Sequence, residues 1–166
     1  MNRNLLKNII FYIFVFILLI IQSSNILSIL GINPDVILIT IILYTIKYGD
    51  FNGQLFGFIL GILEDTFSGS LFGLNAFILV LISFFLVLYQ KYIFVSDIFS
   101  ILIYIILSTI VKYLFYIFFY WALGVGNILD WLILLKLSGE IVYNCFIGTI
   151  LFYLLPLFYN KEEIIF

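Results

Sequence analysis

Apolar runs too long to be hidden in a water-soluble fold dominate this chain. No charged residue interrupts the stretch from Thr66 to Gln90, and Ile9 to Ile21 is a second such run. A bilayer core of about 30 Å is crossed by roughly 20 helical residues, and these runs are of that order. The rest of the chain agrees: 66% of its 166 residues are hydrophobic and 10% are charged, against about half and about a quarter in ordinary globular domains. A soluble fold of this size has too much surface to bury so much apolar side chain. A membrane β-barrel is excluded, because the runs are continuous rather than alternating.

Six helical segments follow, at roughly 5–23, 34–48, 52–66, 71–90, 98–120 and 137–158. They form an all-α, single polytopic transmembrane domain over residues 1–166. Arg3 and Lys7 ahead of the first apolar run imitate a secretory signal. The cluster Gln22-Ser23-Ser24-Asn25 is a poor cleavage site, however, so the first segment is expected to stay as a helix. Asn33-Pro34-Asp35 opens the second segment: Asn33 can cap, proline tolerates the first turn, and Asp35 favours the positive end of the helix dipole. Lys47-Tyr48-Gly49 closes it with a cation near the negative end and a glycine just beyond. Segments two and three, about 15 residues or about 22 Å each, are short for a crossing. They are expected to be shielded by longer neighbours or to sit in a thinned bilayer.

Charge asymmetry sets a direction. With six crossings and a cytoplasmic N-terminus, Arg3, Lys7, Lys47, Lys91 and Lys161 all fall inside, leaving Lys136 near the outer surface. Asp35, Glu64, Asp65 and Asp130 lie outside or close to it. Tyr48, Tyr92 and Tyr159 mark the inner interface; Tyr120, Trp121 and Trp131 mark the outer one. The expected topology is therefore N-in, C-in.

Several functions are excluded by what is missing. Histidine is absent, which removes the commonest general base and metal ligand. Cys145 is the lone cysteine and reads as a small buried hydrophobe. Seven basic side chains against nine acidic ones leave no basic patch for nucleic acid. A membrane aspartyl protease needs two paired aspartates at depth, and only Asp65 is well placed; Asp35, Asp50, Asp97 and Asp130 belong to helix ends. No catalytic residue, cofactor or metal ligand is assigned.

The most informative stretch is Gly53-x3-Gly57-x3-Gly61-x3-Asp65-x3-Gly69-x3-Gly73, followed by Asn75-Ala76. Glycines four apart share a helix face and let another backbone come close. Asp65 to Gly73, with Ser68-Gly69-Ser70, reads as a turn between segments three and four. The run from Gly57 to Ala76 resembles the signature of the MreD family of rod shape-determining membrane proteins, close to G-F-x-x-G-x-x-x-D-x-x-S-G-x-x-x-G-x-N-A. Pro34-Asp35 and Asn144 fit the same family, and the length agrees. Glu64 beside Asp65 is a departure from the pattern, and no role is assigned to it.

Lys112 lies about eight residues before the outer end of segment five, roughly 12 Å deep. An unpaired lysine near a helix centre costs about 2.5–3.5 kcal/mol on insertion scales. Glu140 and Asn144, four apart on one face of segment six, are its expected companions in an intramembrane polar cluster, with Asp65 possible as a fourth member. Snorkelling of Lys112 to the outer interface is the competing arrangement.

Resemblance to MreD implies a non-catalytic scaffold in the bacterial inner membrane, acting in cell shape and lateral peptidoglycan synthesis. The partners it implies are MreC, the MreB filament, the elongation glycosyltransferase and the penicillin-binding transpeptidase, with membrane lipid around the bundle. The alternative is a substrate-binding subunit of a vitamin transporter of the energy-coupling-factor type, whose general fold MreD is thought to share.

Overall fold

The computed structural model describes residues 3–69, 71–90, 98–124 and 131–154. Among these described residues six helices follow one another: α1 (Arg3–Ser23), α2 (Val36–Tyr48), α3 (Asp50–Ser68), α4 (Leu74–Gln90), α5 (Ile98–Ala122) and α6 (Trp131–Leu154). Three of them, over Leu5–Ser23, Ile98–Ala122 and Ile133–Leu154, are long and apolar enough to cross a membrane; α2 and α4 are shorter apolar helices. Among the described residues there is no strand, only an isolated bridge between Ile29 and Ile32. Ser70, Lys91, Tyr92, Ser96, Asp97, Asp130, Pro156, Tyr159, Asn160 and Lys161, with the loops and boundaries expected there, lie outside the described residues, as does the side chain of Trp131.

The bundle is organised around α2. Seven consecutive residues, Val36 to Ile42, are buried, which a helix achieves only when neighbours surround it. Those neighbours are α1, α3, α4, α5 and α6. At 13 residues, α2 is about 20 Å long and shorter than its surroundings, and its first residues, Asp35 and Val36, are sunk in protein. α1 shows the opposite pattern. Phe11, Val15 and Leu19 form a buried stripe four residues apart, while Ile9, Ile13, Phe16, Ile17 and Ile20 face outward, as an apolar solvent permits.

Local chemistry differs from the expected helix starts in one respect. Asp35 itself is the N-cap of α2, its carboxylate accepting from Leu38 N at 3.0 Å. Pro34 therefore precedes the helix, and Asn33 donates to the Asn25 side chain instead of capping. Gly49 (φ 80°) joins α2 to α3 alone, its N–H closing the last turn of α2 on Thr45 O at 2.9 Å. Beyond it α3 runs 19 residues to Ser68, so it is not the short helix expected. The helix passes through Asp65 and stops only at Gly69, whose left-handed conformation (φ 65°) ends it. The shorter helices are α2 and α4. Similarly, α6 begins at Trp131 rather than at 137.

Candidate functional site: an intramembrane ion cluster and a capped helical hairpin

Lys112 sits in the middle of α5 and is only 6% exposed. Its ammonium donates to Asp35, at the start of α2, and to Glu64 Oε1 on α3 at 3.4 Å. Gln22, near the end of α1, ties the same group together: its amide donates to Asp35 Oδ1 at 3.2 Å and to Glu64 Oε1 at 3.1 Å. The Gln22 carbonyl accepts from Ile37 N at 2.9 Å. Asn144 on α6 accepts from Asp35 N at 2.7 Å and donates to Thr109 Oγ1 at 3.1 Å. One connected network thus touches α1, α2, α3, α5 and α6.

The pairing corrects the expected one. Lys112 is buried and paired, but with Asp35 and Glu64 rather than with Glu140, Asn144 or Asp65. Asn144 stays one bond away, reaching Lys112 through Asp35, and Glu140 accepts instead from Tyr113 Oη at 2.7 Å. The reason is the sunken position of α2. A 13-residue helix enclosed by longer ones presents its first residues at depth, so a helix-end aspartate becomes an interior anion. At an effective dielectric of about 20, unit charges 3.4 Å apart attract by about 5 kcal/mol. That is enough to offset the lysine's insertion cost of about 2.5–3.5 kcal/mol, with hydrogen bonds from Gln22 helping to satisfy the acids. Net stabilisation from buried ions is small.

Asp65 does different work. It stands near the end of α3 and accepts from Gly73 N at 2.8 Å, Asn75 N at 3.1 Å and Ala76 N at 3.3 Å. One carboxylate thereby caps the unsatisfied amides that open α4 and meets the positive end of its dipole. Asn75 adds a tie to α5, accepting from Tyr116 Oη at 2.5 Å. The glycine face divides by partner. A Cβ on Gly61 would stand 2.5 Å from Ala76 N and 2.9 Å from the Asn75 carbonyl carbon, both backbone atoms of α4. A Cβ on Gly57 would reach Leu79 C and O at 3.3 Å, whereas one on Gly53 would collide with the Thr45 side chain on α2. Gly69 and Gly73 have open space around them and positive φ, 65° and 91°. Their requirement is conformational. The x3 spacing is therefore one pattern serving two purposes: close approach along α3, then a turn that aims α4 back.

The family model for rod shape-determining protein MreD matches residues 2–162. The chain belongs to the MreD family. No curated protein matches it, and no solved structure does. MreD membership places the protein in rod shape determination, within a family associated with the MreB/MreC shape-determining system and not known for enzymes. Among MreD-signature residues, Gly57, Gly61, Asp65, Gly69, Gly73, Asn75 and Ala76 all belong to the α3–α4 hairpin. Sequence reasoning passed over Gln22, Glu64 and the anionic role of Asp35. An N-in arrangement brings Gln22, Asp35, Glu64 and Lys112 toward the same end of the bundle, but it does the same for Glu140 and Asn144 and so does not single out the pairs.

Proposed function

We propose that this MreD-family protein is a non-catalytic scaffold of the cell-elongation machinery, built to present a rigid lipid-facing surface to partner helices. One observation carries this reading: the buried polar side chains that a membrane enzyme would need for chemistry are engaged in joining helices. Lys112 is bonded by Asp35 and Glu64, Asp65 by three amides of α4, Asn144 by Asp35 and Thr109, and Glu140 by Tyr113. Around this locked interior the outward residues are large and apolar, among them Phe58 and Ile59 on α3, Phe118 on α5, and Val142 and Phe146 on α6. Without a hydrophobic driving force between helices in lipid, shape-complementary packing on such a surface is how a partner helix is recognised.

MreC is the partner this reading puts against the bundle. The MreB filament, the glycosyltransferase and the penicillin-binding transpeptidase are joined directly or through MreC. The chain is multi-pass in the inner membrane, N-in and C-in, following the lysine and arginine asymmetry. The test is photo-crosslinking inside intact cells, with a photoreactive residue placed singly at Phe58, Phe118, Val142 and Phe146. MreC adducts confined to one face are expected. If rods keep their shape and none of the four positions yields an MreC adduct, the reading is wrong. A second reading, a small-molecule carrier, has one observation in its favour: a cavity beside the ion cluster.

A further inference from the structure

The connection between α1 and α2 is fixed at an unusual level by its contacts. Gln22, next to the last residue of α1, donates to Asp35 and Glu64, the two acids that hold Lys112. α1 therefore ends at the level of Lys112, while α5 continues from Lys112 to Ala122, about 15 Å further. α6 gives the same answer: Ile32 Cδ1 lies against Gly139, which is about 9 Å inside the apolar span that opens at Ile133. Both helices are long and apolar enough to cross a membrane. With α5 and α6 spanning the bilayer, residues 24–33 lie within its leaflet, below the headgroups.

The chemistry of the connection suits that level. No charge occurs between Lys7 and Asp35. Ile26, Ile29 and Leu30 point outward and extend the apolar surface that Ile13, Ile17 and Ile20 form on α1. Ile29 and Ile32 exchange N–H···O bonds of 3.0 and 2.9 Å around Leu30 (φ 53°) and Gly31 (φ 78°), the two positive φ values of a type I′ turn. In water that turn favours Asn-Gly or Asp-Gly; here a leucine, 96% exposed, takes the first place. Lipid removes the contradiction. The amides of Ser24, Asn25 and Ser28 are bonded within the segment or to the end of α1, at 3.0–3.2 Å. The polar side of the connection, Ser23, Asn25 and Asn33, lines a cavity of about 550 Å³ that reaches Asp35, Glu64 and Lys112. Non-helical backbone at membrane depth is tolerated where it lines a polar cavity of this kind.

We propose that residues 24–33 form a re-entrant hairpin that binds the bilayer itself. Ile26, Ile29 and Leu30 occupy the acyl region, and the polar side walls a hydrated vestibule running to the Lys112 cluster. The leaflet is thinned and wetted on this face of the bundle, the usual response to a short crossing. The proposal does not depend on which helices meet a partner, and its failure would leave the scaffold reading untouched.

The experiment uses the full chain carrying Cys145→Ser and one introduced cysteine at a time, spin-labelled, in vesicles of phosphatidylethanolamine and phosphatidylglycerol. Collision with oxygen, which concentrates among acyl chains, and with a neutral nickel chelate, which stays in water, reports depth against lipids labelled at the headgroup and along the chain. Ile26→Cys and Leu30→Cys should report positions roughly 5–10 Å below the headgroup, with oxygen favoured as at Ile17→Cys on α1. Ser23→Cys, at comparable depth but on the cavity, should favour nickel. Leu30→Asn guards against disturbance by the label. Asparagine suits the positive φ, so this change raises the unfolding midpoint if the tip stands in water and lowers it if the amide must enter lipid. A fall is expected. A Leu30 label at headgroup level overturns the proposal, as does one shielded from both reagents by a second copy of the chain. Nickel access at Ser23 no greater than at Leu30, or a raised midpoint, overturns it equally.

Discussion

Replacing Gly61 by alanine adds one methyl group at the tightest point of the α3–α4 hairpin. That methyl would lie 2.5 Å from Ala76 N and 2.9 Å from the Asn75 carbonyl carbon, against an ordinary contact of 3.4–4 Å. Both obstacles are backbone, so no side chain can rotate away; α4 must retreat by about 1 Å. Overpacking of this kind costs about 1–3 kcal/mol. The retreat also pulls the first turn of α4 from Asp65, whose bonds to Asn75 N and Ala76 N are 3.1 and 3.3 Å long. Stretched by that amount they leave hydrogen-bond range, and bonds to a charged group contribute about 1.5–3 kcal/mol each when intact. Partial loss adds about 1–2 kcal/mol. Against this stands about 0.5–1 kcal/mol gained by removing a glycine from a helix interior. The net expectation is a loss of about 1–4 kcal/mol, while the same change at Gly57, where the contact is 3.3 Å, comes out near zero. Equilibrium unfolding in mixed micelles, followed by tryptophan fluorescence, compares the two variants. If Gly61→Ala is within about 0.5 kcal/mol of Gly57→Ala, close backbone approach is not what the glycine provides.

Lys112→Met strands Asp35 and Glu64 together in the bundle and should cost about 3–5 kcal/mol. Adding Asp35→Asn and Glu64→Gln should restore most of that loss in the same unfolding assay, and failure to restore it would show that the cation is not held by these two acids. Asp65→Ala removes the acceptor for three amides and should cost about 2–4 kcal/mol. Amide exchange should accelerate at Gly73, Asn75 and Ala76 while α1 is unchanged; uniform acceleration would contradict a local capping role.

Much of this architecture is written along the chain. Membrane residence, helix number and the α3–α4 turn follow from hydropathy, from glycine spacing and from the pairing of Asp65 with the glycines after it. Each is a property of neighbouring residues, because a helix, a cap and a left-handed turn are decided within a few positions. Even there boundaries moved, the end of α3 among them. Asp65 to Gly73 reads as a turn, yet α3 runs through Asp65 to Ser68, because Asp65 needs no water when the amides of α4 supply its hydrogen bonds.

The identity of the partner of Lys112 is a different kind of fact. Glu140 and Asn144 had matching depth along α6, and Asp35 looked like an ordinary helix-start residue. Only packing reveals that α2 is enclosed on all sides and shorter than its neighbours, so that its first carboxylate lies where α5 carries a lysine and α3 carries Glu64. Depth within a bundle depends on which helices surround which, and no local pattern encodes it. Apolar runs therefore specify that this chain lives in a membrane, and the enclosure of α2 specifies which charges meet there.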